Sequence, residues 1–187
     1  MPTVFSHPAI ALATTPLLQG LKRKPLLVIS GALLTVLPDL DVVAFKFGIP
    51  YRHTFGHRGI SHSILFAFMA SILFTSINRQ KGLDKNLLVW GYLFICGLSH
   101  GLLDAATNGG LGIGLFLPFS AERFFFPYRP IEVSTLSITR FFNGQGGFVL
   151  QNEILYLWLP AIGLFLLLYV LLRIVKTVSG HQHPNRC

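Results

Sequence analysis

Apolar positions in this chain come in long unbroken runs. They do not alternate as in a half-buried strand, nor form the one-sided stripe of a soluble helix. The clearest run, 154–172, holds nineteen residues without a charge, close to the roughly 20 that cross a hydrocarbon core as a helix. Arg173 and Lys176 follow it, placed to snorkel to an interface. Two more runs have the same character. Residues 59–78 contain His62 as their one ionisable group, and 87–103 contain only Cys96 and His100 before Asp104 follows at once. The first third is weaker. Residues 8–21 are apolar but interrupted by Pro16, and Lys22-Arg23-Lys24 end them; 26–37 are apolar again and run into Pro38-Asp39-Leu40-Asp41. The pattern predicts an all-α, polytopic membrane helix bundle of about five segments. The first two are expected to be short, with Pro38 disturbing the second. A long connection, 105–152, separates the last two. One membrane-embedded domain, 1–176, would precede a polar, disordered tail, 177–187.

Composition strengthens the membrane reading. Hydrophobic residues make up 52% of the 187 and charged residues only 12%, against about 25% charged in soluble domains. The net charge of +8 does not point to nucleic acid, because no basic stripe interleaved with aromatics accompanies it. Membrane proteins concentrate Lys and Arg in the loops of one side. With five crossings, nine basic residues share one side: Lys22, Arg23, Lys24, Arg79, Lys81, Lys85, Arg173, Lys176 and Arg186. The other side holds six, Lys46, Arg52, Arg58, Arg123, Arg129 and Arg140, spread over longer loops. That bias puts the short basic turns in the cytoplasm and the N-terminus and long connection outside. Cys96 and Cys187 are not expected to pair, and no cleavable leader is expected before the first run.

The chemistry gathers at one end of this topology. His7 begins the first segment, Asp39 and Asp41 end the second, His57 and His62 flank the start of the third, and His100 and Asp104 end the fourth. Charged groups at membrane depth cost about 2.5–3.5 kcal/mol each on insertion scales. They persist where they pair, coordinate an ion or line water. Imidazole with carboxylate is a good donor set for a divalent metal, zinc above all. His100 and Asp104, four residues apart, share a helix face. Asp41 is open to two roles, as a ligand or as a partner behind a ligand. Gly59 permits a tight entry into the third segment, and Ser61 and Ser63 can orient a neighbour. Bland roles compete residue by residue: capping for Asp39 and Asp41, an interhelical hydrogen bond for His62, an ion pair for His100 with Asp104, and interface anchoring for Arg58, Arg123 and Arg129. His53, His181 and His183 read as solvated.

Ser6-His7, Pro38-Asp39-Leu40-Asp41, His57-Arg58-Gly59-Ile60-Ser61-His62-Ser63 and Ser99-His100-Gly101-Leu102-Leu103-Asp104 together resemble the LexA-regulated, membrane-bound metal-dependent hydrolases of bacteria. Pro118-Phe119-Ser120, Arg123 and Arg129-Pro130-Ile131 fit the same resemblance. More remotely, the His and Asp arrangement is similar to the helical zinc phospholipase C and P1 nuclease group. The resemblance implies a bacterial inner-membrane protein, with its site on the periplasmic side, holding one to three divalent ions on His7, Asp39, Asp41, His57, His62, His100 and Asp104. On this reading Asp41 serves as base and Arg58 or Arg123 holds an anionic group of a phosphoester or lipid-like substrate in the bilayer. Two other classes remain open: a metal-ion transporter or sensor, and a non-catalytic stress-response membrane protein. The residues sit at segment ends and no repeat is evident, which favours the enzyme over a transporter with a midplane site. A serine hydrolase is disfavoured, because no nucleophile elbow is present.

Overall fold

In the computed structural model the described residues are 1–134, 139 and 141–181. Arg140, His183, Arg186 and Cys187 lie outside them. The chain is helical almost throughout. Helix α1 (Ala9–Ala13) leads into a 3-10 turn, Thr15–Leu18, that accommodates Pro16. Helix α2 (Lys24–Val36) continues as a 3-10 stretch, Leu37–Phe47. A short 3-10 turn, Ile60–His62, precedes α3 (Ile64–Ile77), and α4 spans Leu83–Ala105. After the loop come a π turn (Phe141–Gln145), α5 (Gly146–Glu153), a second π turn (Ile154–Trp158) and α6 (Leu159–His181). Among the described residues there is no strand, only two isolated bridges.

Three helical stretches are long and apolar enough to cross a membrane: Lys24–Phe47, Leu83–Ala105 and Gly146–Val178. The shorter apolar helix Ile64–Ile77 lies among them. In the second segment the α-helix ends at Val36 and changes to 3-10 from Leu37, beside Pro38, as the proline predicts, but helical structure continues, so that the stretch totals 24 residues. Pro38 sits in the first turn of the 3-10 stretch, where its missing N–H deprives no helical acceptor. Conversely the third segment is shorter than its apolar run. Ser63 accepts a hydrogen bond from Phe66 N (3.1 Å) and sets the helix start there. The long connection is shorter too, because helical structure resumes at Phe141.

Helix α4 packs against both α2 and α3. Leu27, Leu34, Val89, Tyr92, Leu93 and Cys96 form the buried seam, and Tyr92 Oη donates to Ala11 O (3.1 Å), tying in the first helix. A second cluster, Ala9, Ala13, Leu157 and Ala161 with Ile131, joins α1 to the last helix. The loop folds back over the end of α4 through Phe126 N to Ala105 O (2.9 Å), Asn108 N to Ile131 O (3.0 Å) and Ile131 N to Ala106 O (3.2 Å). Outward-facing Met69, Leu73, Leu166 and Val170 stay exposed, as lipid-facing positions do.

Gly101 brings the end of α4 against the turn before α3. A Cβ there would stand 2.8 Å from the carbonyl oxygen of His62, which is backbone and cannot swing aside. Gly101→Ala is expected to destabilise the bundle by about 1–3 kcal/mol, the usual range for overpacking. It should also displace His62. Thermal unfolding in detergent, read beside metal content, checks both effects.

Candidate metal centre

The turns that end α2, precede α3 and end α4 converge on one buried point. Asp39, His62, His100 and Asp104 each offer one ligand atom, and these atoms lie within 4.8 Å of one another. Asp39 comes from the 3-10 stretch after Pro38, His62 from the turn before α3, and His100 and Asp104 from one face of α4. Asp41, His57 and His62 form a second group that overlaps the first at His62. His7 stacks on His100, with ring centroids 4.0 Å apart, and its Nε2 is 3.8 Å from Asp39 Oδ2. The expected seven residues thus meet in one place.

Hydrogen bonding fixes which nitrogens face the centre. His100 Nδ1 is 2.7 Å from Thr35 O, an acceptor only, so Nδ1 carries the proton and Nε2 the lone pair. Ser61 Oγ donates to Asp41 Oδ2 (2.6 Å), and His62 Nδ1 lies 3.0 Å from that hydroxyl and 3.2 Å from Asp41 Oδ2. His62 Nδ1 is therefore also a donor, outward from the centre. The two Nε2 atoms then face each other at 2.9 Å. Two imidazole lone pairs at that distance repel unless a proton or a metal cation stands between them. Histidines that ligate metals are held in this way, by an acceptor on the far nitrogen.

The remaining donors point the same way. Eight buried side-chain polar atoms among the described residues have no hydrogen-bond partner, and six belong to His7, Asp39 and Asp104. Burial, and then neighbouring His100, push the pKa of His7 down to about 3, so its ring is neutral. Burial opposes a charge on His62, but Asp104 and Asp41 on either side outweigh it and push the pKa up to about 9. The free site thus stabilises a cationic ring where a metal ion would otherwise neutralise the carboxylates. Asp39, Asp41 and Asp104 face one buried guanidinium, Arg58. With His62 neutral, as a metal ligand must be, three carboxylates and one guanidinium leave two negative charges for a divalent cation, and the N-terminal amine of Met1 stands 3.9 Å from Asp104 Oδ1. The donor set of imidazoles and carboxylates fits such an ion.

Arg58, Asp41 and Arg123 are each engaged by groups of the protein itself. Arg58 is fully buried, with a left-handed backbone (φ 61°). Its Nε lies 3.0 Å from Asp104 Oδ2, its Nη1 donates to Gly109 O (2.9 Å), and its Nη2 to Thr107 Oγ1 (3.0 Å). Asp41 accepts from His57 Nδ1 (2.6 Å), Arg58 N (3.1 Å) and Ser61 Oγ. Arg123 donates to the carbonyls of Arg58, Arg52 and His53. His53 itself is exposed in the loop, where its Nδ1 accepts from Phe55 N.

Glu153 was not legible beforehand. It is fully buried and accepts from the backbone N–H and hydroxyl of Thr3 and from Ser6 Oγ (2.6 Å). Trp158 Nε1 donates to the same Ser6 hydroxyl (3.0 Å). This network pins the segment carrying His7 to the last helical stretch. Its one sequence signal is a carboxylate directly before the longest apolar run.

The chain matches the YdjM inner membrane protein family over residues 1–179. It is 40% identical over 160 residues to the inner membrane protein YbcI of Escherichia coli K12, an overlap covering 86% of this chain and 92% of that relative. No solved structure matches the chain. The family match runs from the His7 segment through the last apolar helix, and this multi-pass protein of the bacterial inner membrane belongs to the YdjM inner membrane protein family.

Proposed function

We propose that the protein is a membrane-bound, metal-dependent hydrolase acting on a phosphoester at the outer face of the inner membrane. The observation that carries this reading is the set of buried His7 and Asp39 atoms without hydrogen-bond partners, gathered with Asp104 around two opposed imidazole nitrogens. Asp39, His62, His100 and Asp104 would hold the ion, with His7 bordering it. A divalent ion, zinc being the best match, supplies Lewis acidity and lowers the pKa of a bound water. The chain supplies orientation. Asp41 fixes the tautomer of His62 and the ring of His57. Arg58 orients Asp104, and Arg123 holds the turn from Arg52 to Arg58. The resemblance to LexA-regulated membrane hydrolases, and more remotely to the zinc phospholipase C and P1 nuclease group, supplies the reaction class.

The same proposal includes the topology. The residues of the centre stand at alternating ends of successive segments: before α1, after α2, before α3, after α4. They meet if those segments run antiparallel, and counting the short first and third segments as crossings makes five with the last stretch. Lys22, Arg23, Lys24, Arg79, Lys81, Lys85, Arg173 and Lys176 fall at the ends away from the centre. The positive-inside bias then places the centre on the periplasmic side.

Turnover tests the reaction. Detergent-purified protein loaded with zinc is expected to release p-nitrophenol from p-nitrophenyl phosphodiesters. Chelation should abolish release and added zinc restore it. Metal-loaded protein inert on both mono- and diesters would remove the hydrolase reading while leaving the metal centre standing.

A further inference from the structure

A cleft of about 490 Å³ opens on the flank of the bundle beside the centre. Its walls are apolar: Val4 and Phe5 from the N-terminal segment, Val36, Leu40 and Val42 from the second segment, and Phe142 from the π turn before α5. Asp39 is the one ionisable side chain lining it. Asp39 Oδ1 lies 3.5 Å from His100 Nε2 and 4.0 Å from His62 Nε2. Asp39 is thus shared by the wall of the cleft and the metal centre, with its carboxylate oxygens buried behind that wall. Phe5, Leu40 and Phe142, which line it, are 74%, 61% and 79% exposed.

We infer that the cleft receives the hydrocarbon tail of a membrane amphiphile whose phosphate headgroup reaches the centre past Asp39. This rests on the hydrolase reading for the identity of the headgroup. A water-soluble phosphate gains nothing from apolar walls and would have to pass them to reach the centre. A lipid tail already in the bilayer moves between two apolar surroundings at little cost, and its headgroup arrives in the plane of the centre. The volume lies within the range of about 300–1,000 Å³ typical of small-molecule pockets. An apolar cavity with one ionisable group in its wall suits a molecule with one polar end.

The test uses binding, so that it stands apart from turnover. Zinc-loaded protein in lipid nanodiscs is titrated with methylphosphonate, which is headgroup alone, and with octylphosphonate, which adds a tail. Burial of a methylene from water strengthens binding by about fourfold at most, so octylphosphonate is expected to bind at least about tenfold more tightly. The ratio of the two affinities should fall severalfold in Val4→Trp, which fills the cleft, and in Phe142→Asp, which charges its rim. Metal content of each variant shows that the bundle is intact. An equal ratio in wild type and both variants would assign the gain to bilayer partition and overturn the inference. Equal affinity of the two phosphonates, or no binding of either, would overturn it as well. Tail-dependent binding without hydrolysis of an octyl p-nitrophenyl phosphodiester would keep the cleft and remove the hydrolase reading instead.

Discussion

His100→Ala is expected to strip the divalent metal from the purified protein. His100 is fully buried, it is stacked on His7, and its Nε2 stands 2.9 Å from His62 Nε2 and 3.5 Å from Asp39 Oδ1. Its far nitrogen is fixed on Thr35 O, so the ring is held with Nε2 towards the centre. Losing a partner behind a ligand costs about 10–100-fold in metal affinity, and losing the ligand itself should exceed that. Elemental analysis of detergent-purified protein is expected to find about one ion or more per chain in wild type and almost none in the variant. His53→Ala is the control, since the His53 side chain is exposed and bonds only within its own loop. Equal metal in wild type and His100→Ala, or none in either, would remove the centre.

The sequence carried the membrane class and the gathering of His7, Asp39, His62, His100 and Asp104 for one physical reason. Polar atoms at the ends of apolar runs stand out against a background that tolerates few of them. Pro38 ends the α-helix as its sequence position predicts, but the continuation of Lys24–Phe47 in 3-10 form was not legible. Only the backbone shows that a 3-10 turn absorbs the proline. The start of α3 was hidden by the opposite effect: the apolar run continues through Gly59 to Ser63, while the Ser63 cap decides the boundary. The part played by Arg58 depends on Thr107 and Gly109, some fifty residues later, folding back over it. Spacing says nothing of such a return. Glu153 was invisible for the same reason, since its partners Thr3 and Ser6 lie at the other end of the chain.

Asp104→Ala is expected to damage the fold more than His100→Ala does, although both remove a candidate ligand. Asp104 is the carboxylate paired with Arg58 at 3.0 Å, and both side chains are fully buried. Removing one partner of a buried ion pair leaves an uncompensated charge and costs about 3–5 kcal/mol. The guanidinium cannot reach water without displacing Thr107 and Gly109, which belong to the loop that covers the end of α4. Loss of the carboxylate should therefore loosen that loop as well as the centre. Replacing both partners removes the orphaned charge, so Arg58→Met with Asp104→Leu is expected to recover much of the stability while remaining metal-free. Unfolding of the two single variants and the double variant in one detergent isolates the pair by a double-mutant cycle. If Asp104→Ala melts no lower than His100→Ala, Arg58 is not held by Asp104. If the double variant recovers stability and still binds metal, Asp104 is a partner of Arg58 and not a ligand. Recovery of stability without metal is the outcome that assigns Asp104 both tasks: orienting the buried arginine and facing the ion site, since the oxygen paired with Arg58 also lies 3.4 Å from His62 Nε2.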